Sequence, residues 1–148
     1  MLIALREGEA IFLIVGAYAV AVHGAPRSTG DIDIWVRPDP ENAARVWKAL
    51  VYFGAPVEAM GLTPADLSRP GTVYQIGQPP RRIDIITQIS GVDFDDAWES
   101  RVLETVDGLE LPFLGREELL RNKLAAARTK DLADVELLRD QKSSSASD

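Results

Sequence analysis

Apolar and polar positions along the chain follow two periods, which together predict a sheet with helices. Runs with the alternation or the apolar density of strands lie at residues 11–15, 31–36, 72–76, 82–88, 102–106 and 109–114. Runs of helical composition, or with apolar residues at three- and four-residue steps, lie at residues 2–9, 17–23, 40–53, 115–127 and 130–139. Helices interspersed with strands predict an α/β (α+β) fold, a single mixed sheet of about five strands with helices packed against it.

Capping and turn residues mark the ends of these elements. Asp39 and Pro40 are a helix-start signature, and Gly54 supplies the stop at the other end of that helix. Asp107 and Gly108 form the strongest hairpin signal in the chain. The two strands that flank this turn are therefore expected to pair and extend the sheet.

The segment 11–36 joins two features that suit a charged ligand. Its first strand ends at Gly16 and a helix begins at Ala17, so free backbone N–H groups and the positive end of a helix dipole meet at this turn. Such a turn suits a phosphate group. On the next strand Asp31 and Asp33 project from one face, about 6 to 7 Å apart along the strand.

Three aspartates are candidate metal ligands. Asp31 and Asp33 could bind a hard divalent cation such as Mg2+, which prefers oxygen ligands. Their alternation with isoleucines is also typical of a half-exposed strand whose carboxylates lie in solvent. Asp84 lies among isoleucines in a later strand, where an unpaired buried carboxylate would be costly. A shared metal ion would give Asp84 a partner.

Length and composition favour one globular domain. The chain has 148 residues, of which 46% are hydrophobic and 26% are charged. A core of this size fits one domain, which we place at residues 1–142. Residues 143–148 are polar and of low complexity, and they are predicted to form a disordered tail.

Composition also excludes several kinds of site. The chain has no cysteine, which excludes disulfides, thiolate metal sites and cysteine nucleophiles. No apolar run approaches the ~18 residues of a membrane span, and no secretory signal fits the first residues. We therefore predict a cytoplasmic protein without a membrane partner. The net charge of −7 argues against broad binding of duplex DNA, which needs many basic contacts to phosphates.

One zone of this acidic chain is locally basic. It contains Lys123, Arg128 and Lys130, close to the boundary between the last two predicted helices. Basic residues at this spacing could neutralise a bound anion. A solvated helix face is the alternative explanation for each of them.

Gly16 with Ala17, Asp31 with Asp33, and Asp84 together match the motif pattern of a known family. The chain resembles the nucleotidyltransferase superfamily of DNA polymerase beta type, in its small single-domain prokaryotic form. Within it, the chain is most similar to the AbiEii-type toxin nucleotidyltransferases. The positions that carry this finer likeness are His23-Gly24, Arg27, Thr29, Lys123, Lys130-Asp131-Leu132 and Asp134.

The resemblance implies transfer of a nucleoside monophosphate from a nucleoside triphosphate, such as ATP, to an acceptor hydroxyl. The catalytic and metal-binding residues that it implies are Asp31, Asp33 and Asp84, which would hold two Mg2+ ions, or Mn2+ in their place. The nucleotide-binding residues that it implies are Gly16, Ala17, Arg27, Lys123 and Lys130. The acceptor stays open, since an RNA, a protein and a small molecule all fit the pattern.

A biological setting and a rival function also follow from the resemblance. It implies a role in a toxin–antitoxin or phage-defence system, with a cognate antitoxin or toxin as partner. Ala17 stands where many active members have Ser or Gly and offers no hydroxyl to a phosphate. The alternative is therefore a catalytically weakened protein that binds a nucleotide or a partner, as an antitoxin-like module. A plain acidic scaffold would instead leave the three aspartates apart.

Overall fold

Seven helices and six strands make up the part of the chain that the structure describes. The computed structural model covers residues 1–24, 30–78 and 82–147, with side chains as far as residue 140. In chain order the elements are α1 (Leu2–Glu7), β1 (Phe12–Val15), α2 (Gly16–Val22), β2 (Ile32–Val36), α3 (Pro40–Phe53), α4 (Pro64–Leu67), β3 (Val73–Ile76), β4 (Ile83–Ile86), α5 (Phe94–Glu99), β5 (Val102–Val106), β6 (Leu109–Phe113), α6 (Arg116–Ala126) and α7 (Thr129–Ser147).

The described strands form one mixed sheet in the order β3-β4-β2-β1-β6-β5. Strand β1 pairs antiparallel with β2 and parallel with β6, and β2 pairs parallel with β4. The edge strands β3 and β5 are the antiparallel partners of β4 and β6. The predicted α/β fold is confirmed. The predicted count of about five strands is one too low, because the edge pairs β3/β4 and β5/β6 both join the same sheet.

Strand β1 and helix α3 follow their sequence signals closely. All four residues of β1 are buried, as a continuous apolar run predicts for a central strand. The backbone N–H of Asn42 donates to Asp39 Oδ1 at 2.8 Å, so Asp39 caps α3. Gly54 ends α3 in the left-handed conformation, with φ 92.

A buried asparagine ties α3 to the ends of two central strands. The Asn42 side chain accepts a hydrogen bond from the backbone N–H of Ile11 at 2.7 Å and donates to the carbonyls of Ile11 and Arg37 at 2.9 and 3.0 Å. Ile11 precedes β1 and Arg37 follows β2. Buried backbone groups need hydrogen-bond partners. The Asn42 side chain provides them where the chain enters β1 and where it leaves β2.

Helix α5 is an element that the sequence pattern did not predict. Its six residues make fewer than two turns, which is too short for a helical periodicity to be visible. Phe94 and Trp98 stack with their ring centroids 6.1 Å apart, and Phe94 meets the edge of Trp35 at 4.8 Å. The helix is therefore held against β2 by the contact between Phe94 and Trp35.

The last helix reaches into the region predicted to be a tail. The backbone of α7 is helical to Ser147, while the side chains beyond residue 140 lie outside the described part. The boundary at residue 142 and the disorder of residues 143–148 stay predictions. Among the described residues, no helix combines the length and the apolar character needed to cross a bilayer.

Candidate active site

A cavity of about 620 Å³ lies where the ends of β1, β2 and β4 face the junction of α6 and α7. Among the residues that line it are Gly16, Ala17, Asp31, Asp33, Asp84, Lys123 and Lys130. The structure therefore brings together the predicted site residues that it describes. Arg27, the remaining one, lies outside the described residues. The roles assigned to these residues stay predictions.

The sheet register places two of the three aspartates side by side. Strands β2 and β4 run parallel, and Asp33 is directly opposite Asp84 in the ladder. Directly opposed residues project from the same face of a sheet. The two carboxyl groups are therefore neighbours on one face of the sheet. Asp31, two residues before Asp33, lines the same cavity.

Crowding of carboxylates raises the pKa of Asp33. Burial is the largest cause, followed by the charge of Asp84, its hydrogen bond to Asp33 and the charge of Asp31. Lys123 acts in the opposite direction. Together these effects raise the pKa of Asp33 from 3.8 to about 6. A carboxyl group that titrates near neutral pH is typical of functional sites, where like charges are held together.

Arg82 is a cavity residue that the sequence analysis did not single out. Its Nη2 lies 3.1 Å from Asp31 Oδ2, and its Nε lies 3.1 Å from Asp84 Oδ1. The angle at the second contact is not that of a hydrogen bond, and both buried atoms lack hydrogen-bond partners. Arg82 stands two residues before Asp84, so the alternation of a strand could have placed both on one face.

Gly16 is required by the shape of the site. Its φ is +68, and a Cβ at this position would overlap Asp33 Oδ2 and lie 3.1 Å from Asp33 Cγ. Any side chain would thus adopt an unfavourable backbone conformation and collide with the carboxylate. The predicted turn at Gly16 is confirmed, with β1 ending at Val15 and α2 beginning at Gly16 itself.

Lys123 is engaged in a buried network of charges. Its Nζ lies 3.2 Å from Asp131 Oδ1 and 3.0 Å from Asp134 Oδ2, and all three side chains are buried. Arg128 donates from Nε to Asp131 Oδ2 at 2.6 Å. Hydrogen bonds from Arg128 and Lys123 lower the pKa of Asp131 against the effect of burial. This network fixes α7 against α6, so the charge of Lys123 is already balanced.

Lys130 differs from Lys123 in both exposure and pairing. Its side chain is exposed at the cavity wall. No ion pair joins Lys130 to another residue in the described part of the chain. Of the two lysines predicted to bind phosphates, Lys130 thus has the ammonium group that an incoming anion can pair with.

His23 has a packing role at the end of α2. Its Nε2 lies 2.8 Å from the carbonyl oxygen of Leu114, and His23 is the C-cap residue of α2. This contact ties the end of α2 to the segment after β6.

The donor set suits a hard divalent ion in its chemistry. Asp31, Asp33 and Asp84 offer carboxylate oxygens at one cavity, and Asp84 Oδ1 is buried without a hydrogen bond. Among residues 1–24, 30–78 and 82–147, no three acidic or histidine side chains stand in a ready-made metal-binding arrangement. The guanidinium of Arg82 lies between Asp31 and Asp84 instead. The three donors thus match a divalent ion in their chemistry, and Arg82 contacts two of them.

Comparison with solved structures places this fold among nucleotidyltransferases. A candidate nucleotidyltransferase from Thermotoga maritima matches with a TM-score of 0.56 and 17% identity, over 95% of this chain and 87% of that one. The lincosamide antibiotic adenylyltransferase LnuA, in its lincomycin-bound structure, matches with a TM-score of 0.57 and 13% identity, over 93% and 91%. The chain has a nucleotidyltransferase-like fold. No protein-family model matches it, and no curated protein matches it in sequence.

We expect Gly16→Ala to lower the free energy of unfolding by about 3 kcal/mol. Two costs add up to this value: alanine in a left-handed backbone conformation, and the overlap of its Cβ with Asp33. Gly61→Ala is the matched control, because Gly61 has φ +72 and nothing within 4 Å of its added Cβ. That control should cost about 1 kcal/mol. Urea unfolding measures both. In an Asp33→Ala background the cost of Gly16→Ala should fall to that of the control, and an unchanged cost would contradict the overlap.

We expect Asp33→Asn to stabilise the fold at pH 8 in EDTA by roughly 1 to 2 kcal/mol, after allowance for solvent screening. The raised pKa of Asp33 means that its protonated form is the one that folding favours. The wild type is therefore fully stabilised by protonation below about pH 4 and loses this contribution as the pH rises through about 6. The advantage of the variant should vanish near pH 4.

Thermal unfolding followed by circular dichroism across this pH range tests the prediction. Glu104→Gln, an exposed change on edge strand β5, is the control and should show no gain that grows with pH. An Asp33→Asn protein that is less stable than wild type at both ends of the range would mean that the carboxylate supports the fold.

Proposed function

We propose that the protein is a metal-dependent nucleotidyltransferase, which transfers a nucleoside monophosphate from a nucleoside triphosphate to an acceptor hydroxyl. The observation that carries the proposal is the parallel register of β2 and β4, which sets Asp33 opposite Asp84 in the cavity that Asp31 also lines. Buried like charges are costly to a fold. A cavity that holds three carboxylates together suits a reaction in which carboxylates act on the same reacting group.

The reaction joins the acceptor oxygen to the α-phosphorus and breaks the bond from that phosphorus to the bridging oxygen of the β-phosphate. Pyrophosphate leaves with the electron pair of the broken bond. The proton of the acceptor hydroxyl passes to a carboxylate, and Asp84 is the candidate base, since its Oδ1 makes no hydrogen bond. Mg2+ or Mn2+ bound by Asp31, Asp33 and Asp84 would supply charge neutralisation for the entering and leaving oxygens.

Backbone and basic groups on the cavity wall suit the triphosphate. Gly16 and Ala17 line the cavity beside the acids, and the absence of a Cβ at Gly16 lets the backbone approach a ligand closely. Lys130 supplies a positive charge at the cavity wall. Lys123 contributes mainly by holding α6 and α7 in place, because its ammonium group already contacts two aspartates. The role proposed for Arg27 rests on the sequence alone.

A small molecule is the acceptor class that we favour. LnuA is an adenylyltransferase of lincosamide antibiotics with a similar fold, which suggests ATP as the donor and a small hydroxyl-bearing acceptor. The cavity is also lined by neutral groups that can bind such a molecule, namely Gln75, Gln88, Ser90 and Asn122. An RNA or a protein acceptor would be recognised outside this cavity.

The finer family assignment belongs to the same proposal. The motif likeness to AbiEii-type toxin nucleotidyltransferases suggests a toxin–antitoxin or phage-defence role, with a cognate antitoxin or toxin as partner. A cytoplasmic location is part of this hypothesis. Its support is the sequence pattern of Lys123, Lys130, Asp131 and Asp134.

A protein that binds a nucleotide without transferring it is the second candidate. Arg82 favours it, because its guanidinium contacts two of the acids that metal-dependent transfer would use. Ala17 favours it as well, since it offers no hydroxyl to a phosphate oxygen. The two candidates differ in one result, the formation of a labelled product.

Incubation with Mg2+ and each α-phosphate-labelled nucleoside triphosphate tests the proposed function. Small hydroxyl-bearing molecules, cellular RNA and proteins are offered as separate acceptors, and we expect label in a small-molecule product. Asp33→Asn should lower this transfer at least about 100-fold without loss of folding, because it removes a charged ligand. Glu104→Gln is the control and should transfer as wild type does. Nucleotide binding without any labelled product would favour the second candidate.

We expect Lys130→Ala to weaken binding of the nucleoside triphosphate about tenfold and to leave binding of the unphosphorylated nucleoside unchanged. Only the triphosphate carries the charge that Lys130 would pair with. Isothermal titration calorimetry with both ligands measures the contrast. Lys48→Ala, an exposed lysine on α3 away from the cavity, should affect neither ligand. Equal losses for both ligands, or no loss for either, would mean that Lys130 does not pair with the phosphates.

A further inference from the structure

Arg82 contributes the positive charge that lies among the three aspartates. Its Nη2 is 3.1 Å from Asp31 Oδ2 and 3.4 Å from Asp84 Oδ2, and its Nε is 3.1 Å from Asp84 Oδ1. Asp84 is 8% exposed, so this cation balances a carboxylate that water reaches poorly. Without it, Asp84 would lose the cation that contacts both of its carboxylate oxygens.

We propose that Arg82 is a built-in competitor for the divalent ion: its guanidinium holds the acid end of the cavity together until a metal binds and then leaves the carboxylates. The site's affinity for divalent ions is therefore set by Arg82 as well as by the three aspartates. This inference rests on the metal site of the proposed function, which it deepens.

The geometry of the Arg82 contacts supports displacement. A guanidinium and a metal ion cannot share the oxygens Asp31 Oδ2 and Asp84 Oδ1 at close range, because both are cations and repel. The Nε atom of Arg82 and Asp84 Oδ1 are near enough for an ion pair but lack the angle of a hydrogen bond. The hydrogen bond from Arg82 Nη2 to Asp84 Oδ2 is long, at 3.4 Å, so the directional bonding in this pair is weak and a stronger cation can replace it.

Arg128, a second arginine of the same cavity, forms a more strongly hydrogen-bonded ion pair. Arg128 donates to Asp131 from Nε at 2.6 Å, from Nη2 at 3.2 Å and from its backbone N–H at 3.2 Å. Asp131 is fully buried and also contacts Lys123. The shortest contact of Arg82 is 3.1 Å, against 2.6 Å for Arg128, and its Nε makes no hydrogen bond. Of these two arginines, Arg82 is therefore the one whose contacts a competing cation can displace.

Mn2+ titration without nucleotide tests the inference. Free Mn2+ is measured by electron paramagnetic resonance, and thermal unfolding is followed in EDTA and in Mn2+. We expect Arg82→Gln to bind Mn2+ about tenfold more tightly than wild type, because a repelling charge has been removed from the ligands. The same variant should unfold at a lower temperature in EDTA and gain more from Mn2+ than wild type does.

Lys130→Gln is the matched control for net charge. It removes one positive charge from the same cavity, and Lys130 makes no ion pair within the described residues. Its Mn2+ affinity should change less than about threefold, since the charge lost is exposed and screened. Arg82→Lys keeps the charge and loses the planar fork, so its affinity should lie between wild type and Arg82→Gln. If Arg82→Gln does not fold, Arg82→Lys carries the test.

Several results would overturn the inference. Equal Mn2+ affinity in wild type and both Arg82 variants would mean that the guanidinium does not compete, and would leave the proposed function standing. An equal gain for Lys130→Gln and Arg82→Gln would assign the effect to general charge. No Mn2+ binding by wild type or any variant would overturn the inference together with the metal site of the proposed function.

Discussion

The structure depends most on the parallel pairing of β2 with β4, which holds Asp33 directly opposite Asp84. Two carboxyl groups at this separation in a partly buried place cannot both be ionised without a compensating charge. Two features of the surroundings accommodate the pair: the guanidinium of Arg82 contacts Asp84, and the missing side chain of Gly16 leaves room for the Asp33 carboxylate. The cavity is thus shaped around a cluster of negative charge.

The basic residues of the cavity have different tasks because they differ in their ion-pair partners. Lys123 and Arg128 pair with Asp131 and, for Lys123, Asp134, which makes them structural partners of α7. Breaking such a buried network leaves unpaired charges and costs several kcal/mol. Lys130 is exposed at the cavity wall. A basic zone that looks uniform in sequence therefore divides into groups that hold the helices and a group that can meet a ligand.

A similar fold at 13% and 17% identity shows that the sheet and helix arrangement tolerates extensive change of sequence. Core positions need apolar volume more than particular residues. Function has to be argued from the site that the fold supports. In this chain the site retains crowded acids that are unfavourable to the fold itself, as expected when stability yields to binding or chemistry.

The sequence by itself determined most of the secondary structure and was enough to select the three aspartates as candidate site residues. Apolar runs and capping residues such as Asp39 and Gly54 act over a few neighbouring positions, so their effect is visible in the chain. The sixth strand in the common sheet, the network of Asn42, the bridging position of Arg82 and the burial of Lys123 were decided only by tertiary structure. Each depends on contacts between segments that are distant in sequence, and only the packed fold fixes which groups then meet.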